Sequence, residues 1–160
     1  SKDGSKEIKK GNGKALTNKP LVVLVNEGSA SASEIVSGAI KDNKRGKLVG
    51  KKTFGKGLVQ SMRTLVDGSG LTVTVAKYLT PNGTDINKSG IIPDIEVKMN
   101  INPILQREIG TRKDNQYKAG EKELINLIKR KNQISQFDPE TKNLNAILDI
   151  NKENRVFSFY

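Results

Sequence analysis

The chain has no histidine, no cysteine and no tryptophan, and aromatic residues make up only 4% of it. Without cysteine there is no disulfide, thiolate metal site or thiol nucleophile; without histidine the commonest metal ligand and general base is also missing. No hydrophobic run approaches the roughly 20 residues of a transmembrane helix. The opening SKDGSKEIKKGNGK has no apolar core of the kind a signal peptide needs. The expectation is a cytosolic protein, or a chain that follows a segment removed before it.

What the chain does have is positive charge: 28 Lys and Arg against 17 Asp and Glu, a formal net charge of +11. A basic face can neutralise phosphates and release counterions. Here the basic residues are spread along the chain, few aromatics are available to stack bases, and no nucleic-acid motif occurs. The charge reads as a lysine-rich solvated surface with no nucleic-acid partner.

At 160 residues the chain is the size of one domain with appendages. Residues 1–19 are lysine-rich, with Gly11 and Gly13 and no hydrophobic period, and read as a mobile or hairpin-like lead. Residues 20–99 hold the core patterning. PLVVLVN is a continuous β-branched run, as in a strand covered on both faces. Ser31-Ala-Ser-Glu34 matches a capping box, followed by apolar Ile35, Ala39 and Ile40 and a polar stop KDNKRG, which predicts a helix from about Ala32 to Asn43. KLVG is a second strand, so strand, helix and strand form a parallel crossover and the fold class is α/β.

LVQSMRTLVDGSGLTVTVAKYLTPNG alternates around Asp67-Gly68-Ser69-Gly70 as an antiparallel hairpin, and IIPDIEV is a further strand with Pro93 near its start. Residues 100–160 turn to Asn, Lys and Glu and read as a mixed helical and irregular extension. Within it AGEKELINLIKRKNQ carries a helical stripe, acidic early and basic late to suit the macrodipole.

The chemistry concentrates in two stretches. In Gly28-Ser-Ala-Ser-Ala32, at a strand-to-helix turn, Ser31 is either a helix cap or a nucleophile beside amides able to receive an oxyanion. With no histidine, a base for that serine must be a carboxylate or a lysine whose amine is desolvated. Lys56, between Gly55 and Gly57 after Phe54, is the lysine placed to turn inward, while Lys51 and Lys52 face water. Gly50-K-K-T-F-Gly55-Lys56 also approximates a phosphate-binding P-loop. That reading fails because Gly57 replaces the Ser or Thr that binds magnesium, and LVQSMRTLV continues as a strand where a helix is required.

Taken together, VVLVNEGSASASEIVSGAIKDNKRGKLVG, KTFGKGLVQ, DGSGLTVTVAKYLTPNGTDI and GIIPDIEV resemble the catalytic core of the carboxyl-terminal processing peptidases, or tail-specific proteases, over about residues 20–98. The resemblance implies the ββα superhelix shared with crotonases and Clp proteases. It also implies that Ser31 is the nucleophile, Lys56, 25 positions on, the base, Gln60 the residue that orients its amine, and the Ala32 amide an oxyanion donor. No metal or cofactor is implied. The implied substrate is a protein or peptide cut near or from its C-terminus, in an extracytoplasmic setting such as a periplasm or cell surface. A membrane-associated parent and a homo-oligomer stay open.

The family's PDZ domain and the N-P-G-G-like loop carrying a second oxyanion donor do not occur in this sequence. The chain is therefore expected to be a C-terminal piece of the catalytic core, with little activity alone. The rival reading is a non-catalytic assembly or scaffold module that binds a partner chain.

Overall fold

The structure, a computed structural model, describes residues 4–11, 13, 15–100, 108–137 and 156–159. The apolar run at the start of the core becomes β1 (Val22–Val25), fully buried along its length. After α1 (Ala32–Asp42) the chain returns as β2 (Lys47–Gly50), parallel to β1 with Val23 opposite Leu48. The hairpin follows as β3 (Leu58–Thr64) and β4 (Gly70–Lys77), then β5 (Ile95–Glu96), α2 (Asn115–Phe137) and β6 (Val156–Phe159). One sheet is parallel throughout, in the order β5-β2-β1-β6, while β3 and β4 form a separate two-stranded ribbon.

Why β1 is apolar at every position is plain from its two faces. Val23 and Val25 pack with Leu48, Ile86 and Ile91, against Leu21, Ile40 and Tyr78. Val22 and Leu24 pack with Val49 and Leu124 on the other side, where α2 also supplies Tyr117, Leu127 and Ile128. A strand covered on both faces cannot alternate polar and apolar. Leu24 is completely buried, and a Cβ on Gly120 would stand 2.7 Å from its Cδ2, so helix and strand meet closely there. Leu24→Ala is expected to lower stability by about 2–5 kcal/mol, read as a fall in the urea midpoint with an unchanged slope.

Three expectations shift in detail. α2 begins at Asn115 rather than near Ala119, because the buried Asp114 caps it: its Oδ1 accepts the Gln116 amide at 2.7 Å. Its first turn holds no acidic residue and its last turn no basic one, so the acidic-early, basic-late pattern lies inside the helix and does not mark its ends. The IIPDIEV strand shrinks to Ile95–Glu96. Pro93 offers no N–H there, and Asp94 clasps Leu48 instead, its amide donating to the Leu48 carbonyl at 2.8 Å and its Oδ2 accepting the Leu48 amide at 2.8 Å.

The stretch after Lys56 is a strand, as expected, which removes the helix a P-loop requires. Within the extension, residues 101–107 and 138–155 lie outside the described residues.

Candidate active site

Residues Asn26 to Ala32 form the turn from β1 into α1. Asn26 and Ser29 tie the turn shut: the Ser29 amide donates to the Asn26 carbonyl at 2.9 Å, and the Asn26 amide donates to Ser29 Oγ at 3.1 Å. Beyond it Ser31 adopts φ 57° and ψ −115°. An N-cap residue ordinarily sits in the β region with its side-chain oxygen on a first-turn amide. Ser31 holds the N-cap position in a capping box with Glu34, its side chain toward the Glu34 amide and its own amide on the Glu34 carboxylate, but its backbone lies outside the β region. A serine held at positive φ on a sharp strand-to-helix turn, with its side chain exposed, is the geometry of a nucleophile elbow. Beside it the Ala32 amide, at the first helical position, donates to no group among the described residues.

The other arm of the predicted capping box turns out to reach much further than a cap. Glu34 is fully buried, and its carboxylate accepts four hydrogen bonds. Oε2 takes the Ser31 amide at 3.0 Å and the Lys56 amide at 2.8 Å. Oε1 takes the Gly55 amide at 2.7 Å and Thr53 Oγ1 at 2.6 Å. One oxygen atom thus joins the backbone of the serine turn to the backbone of the lysine loop. Four donors satisfy a buried carboxylate without a cation. The spacing S-x-x-E announced only the local half of this; nothing local in the sequence places Thr53, Gly55 and Lys56 around Glu34.

The lysine loop is clamped from its other side by residues 85–91. Thr53 and Ile91 exchange hydrogen bonds, the Thr53 amide to the Ile91 carbonyl at 3.1 Å and the Ile91 amide to Thr53 Oγ1 at 2.7 Å. The Lys88 amide donates to the Gly55 carbonyl at 2.8 Å. At the head of the clamp Asp85 is held below the usual carboxylate range by the Asn87 amide and then by Lys77. Gly55 has φ 93°, and a Cβ there would meet Gly90 N at 2.9 Å and the Lys88 carbonyl carbon at 3.0 Å, backbone atoms that cannot step aside. Gly55→Ala should therefore cost about 1–3 kcal/mol, observed as a lowered urea midpoint.

The side chains of Lys56 and Gln60 are exposed, and no hydrogen bond joins either of them to Ser31 or to each other among the described residues. The inward turn expected of the Lys56 amine is not seen: Glu34 draws in the lysine's backbone amide and leaves the amine in solvent. Lys52 faces water as expected, but Lys51 is half-buried and pairs with Glu27 at 3.0 Å. Glu27's own backbone amide and then Lys51 hold its carboxyl below the ordinary range. Gln60 sits on β3 opposite Thr74, just past an irregularity that leaves Val75 of β4 without a partner. Among the described residues no group of three or more acidic side chains is placed to hold a metal ion.

A serine elbow and a lysine loop bound to one buried carboxylate, in the order and spacing of the resemblance, can be set against known proteins. The model of peptidase family S41 matches residues 1–97. The chain belongs to peptidase family S41. The carboxyl-terminal-processing protease of Synechocystis sp. (strain ATCC 27184 / PCC 6803 / Kazusa) is 54% identical over 120 residues, covering 74% of this chain and 27% of that protein. The carboxy-terminal processing protease CtpA of Bacillus subtilis (strain 168) is 45% identical over 98 residues, covering 61% of this chain and 21% of the other. Among solved structures, a photosystem II D1 C-terminal processing protease shares 61% identity over 49% of this chain and 20% of its own length, with a TM-score of 0.48. The chain spans 27% of the length of its cyanobacterial relative.

Proposed function

We propose that the protein carrying this chain is a serine endopeptidase that uses Ser31 as nucleophile and Lys56 as general base, cutting protein substrates near or from their C-termini. The observation that carries this reading is the Glu34 carboxylate, which binds the amides of Ser31 and Lys56 on a single oxygen. In the proposed reaction neutral Lys56 Nζ takes the proton of Ser31 Oγ, which attacks the peptide carbonyl carbon. The Ala32 amide donates to the oxyanion that forms. Collapse breaks the C–N bond, the lysine ammonium protonates the departing amine, and water then hydrolyses the acyl-enzyme by the same base. Gln60 orients the lysine amine. On this reading the chain's core adopts the ββα superhelix of crotonases and Clp proteases, with residues 20–99 as the catalytic unit, in an extracytoplasmic or lumenal space.

A lysine acts as a base at neutral pH only when desolvated. Lys56 is exposed in this structure, so the mechanism requires that substrate or other parts of the protein cover it. The consequence is measurable. In the full-length protein, Lys56→Ala and Lys56→Arg should both lower kcat on a C-terminally exposed, unstructured substrate by at least about 10³-fold. Arginine keeps the charge but cannot give up its proton. Near-wild-type turnover by Lys56→Arg would remove Lys56 from the mechanism. The chain by itself, with one oxyanion amide, should turn over the same substrate on the order of 10²–10³ more slowly than the full-length protein.

The same exposure favours a second reading, a non-catalytic assembly module. It predicts no cleavage by the full-length wild-type protein and no effect of either Lys56 variant beyond partner binding.

A further inference from the structure

The end of β1 opposite Ser31 carries a second concentration of chemistry that the proposed peptidase site does not use. Residues 18–21, the turn between α1 and β2, and the side of α2 enclose a cleft of about 220 Å³. Lys19, Lys44, Arg45, Lys47 and Lys131 line it, Leu127 contributes an apolar wall, and no acidic side chain is in the lining among the described residues. Three separate segments of the chain thus bring five cations onto one small volume.

Their partners leave most of that charge uncompensated. Among the described residues Lys47 pairs with a carboxylate, Asp94 at 3.3 Å, and Lys19 also has a partner, which leaves Lys44, Arg45 and Lys131 as the cations without an ion pair there. The Arg45 guanidinium donates to the Thr17 carbonyl at 2.9 Å, and Lys131 to the Asn18 carbonyl at 3.0 Å. These bonds fix the two cations against the 17–18 backbone and neutralise neither. Arginine has five N–H donors and lysine three, so donors remain after each of these bonds is made. Lys44 has no ion pair among the described residues. Like charges gathered this closely repel, and an anion seated among them relieves the repulsion and gains charge-assisted hydrogen bonds.

We propose that this cleft binds a phosphate-bearing anion. A carboxylate offers one negative charge, whereas a phosphoryl group carries up to about two on three acceptor oxygens. A diphosphate therefore answers both the charge of Lys44, Arg45 and Lys131 and the smallness of the volume, with the planar Arg45 fork and the lysine point charges as complementary donors. The same chemistry is offered by a free phosphorylated molecule and by a phospholipid headgroup.

The test is a calorimetric titration of the full-length protein with inorganic pyrophosphate at physiological salt. Saturable binding to one site is expected, weakened by about tenfold or more in Lys44→Glu. Lys44 makes no side-chain bond among the described residues, so the urea midpoint should be unchanged. Lys122→Glu, on the exposed face of α2, changes the net charge equally and should leave the affinity within about twofold. Vesicles containing phosphatidylglycerol separate the two sources. Vesicle binding that pyrophosphate displaces and Lys44→Glu abolishes assigns a headgroup; pyrophosphate binding without vesicle binding assigns a free phosphorylated molecule. Non-saturable pyrophosphate binding, equal weakening by Lys44→Glu and Lys122→Glu, or tighter binding of a hexaglutamate peptide than of pyrophosphate would each overturn the proposal.

Discussion

Ser31→Ala should abolish proteolysis by the full-length protein, with kcat on an unstructured C-terminally exposed substrate falling at least about 10³-fold, while stability falls by no more than the roughly 1 kcal/mol of a lost cap. The two readouts separate the two roles open to this serine. A capping serine replaced by alanine costs about 1 kcal/mol of stability and leaves chemistry alone. Ser31 stands in a capping box with Glu34 and at φ 57°, a conformation alanine tolerates no better and no worse, so its replacement costs no more than the cap itself. The elbow therefore predicts a loss of activity far beyond any cost of the cap. Retained cleavage together with a stability loss near 1 kcal/mol would show a cap and nothing more.

Glu34 offers the second large effect, and on a different axis. Glu34→Ala removes the acceptor of four buried or half-buried donors, the amides of Ser31, Gly55 and Lys56 and the Thr53 hydroxyl. Each unsatisfied donor costs about 1–3 kcal/mol, less where water enters, so a combined loss on the order of 3–5 kcal/mol is expected. Glu34→Gln keeps one acceptor oxygen but turns an NH₂ group toward a pair of donors, and should fall between wild type and alanine. Amide hydrogen exchange reads the same event locally: Gly55 and Lys56 should exchange much faster in both variants. A residue that merely caps α1 would cost about 0.5–2 kcal/mol and leave exchange at Gly55 and Lys56 as it was. In the full-length protein both variants should lose activity as well, because the serine turn and the lysine loop lose their common anchor.

Local pattern made β1, α1 and β2 legible, since each is announced within a few residues: a doubly covered strand by its unbroken apolar run, a helix start by Ser31 and Glu34, a stop by KDNKRG. The hairpin was legible from its turn residues, with strands at Leu58–Thr64 and Gly70–Lys77. Its lack of cover was not: Met62, Leu71, Val73 and Val75 are all exposed, and alternation reports a pleated strand without reporting what lies over it. The start of α2 was missed because a cap is a geometric role. Asp114 fills it only because Gly110 and Gln116 donate to its carboxylate, and the apolar stripe that signals the helix begins further on.

The sequence by itself determined the order of strands and helices from β1 to α2, the family, and the spacing that nominates Ser31, Lys56, Gln60 and Ala32, because these depend on residue types at short range and on a shared pattern; β6, in an extension read as helical and irregular, it did not. Only the tertiary structure decided what those residues meet. It gave Ser31 a positive φ, made Glu34 the joint between its own turn and a loop 22 residues further along the chain, left the Lys56 amine in solvent, and gathered five cations around one end of β1. Burial and hydrogen-bond partnership are properties of segments that converge after folding, and the spacing of letters along the chain does not carry that convergence.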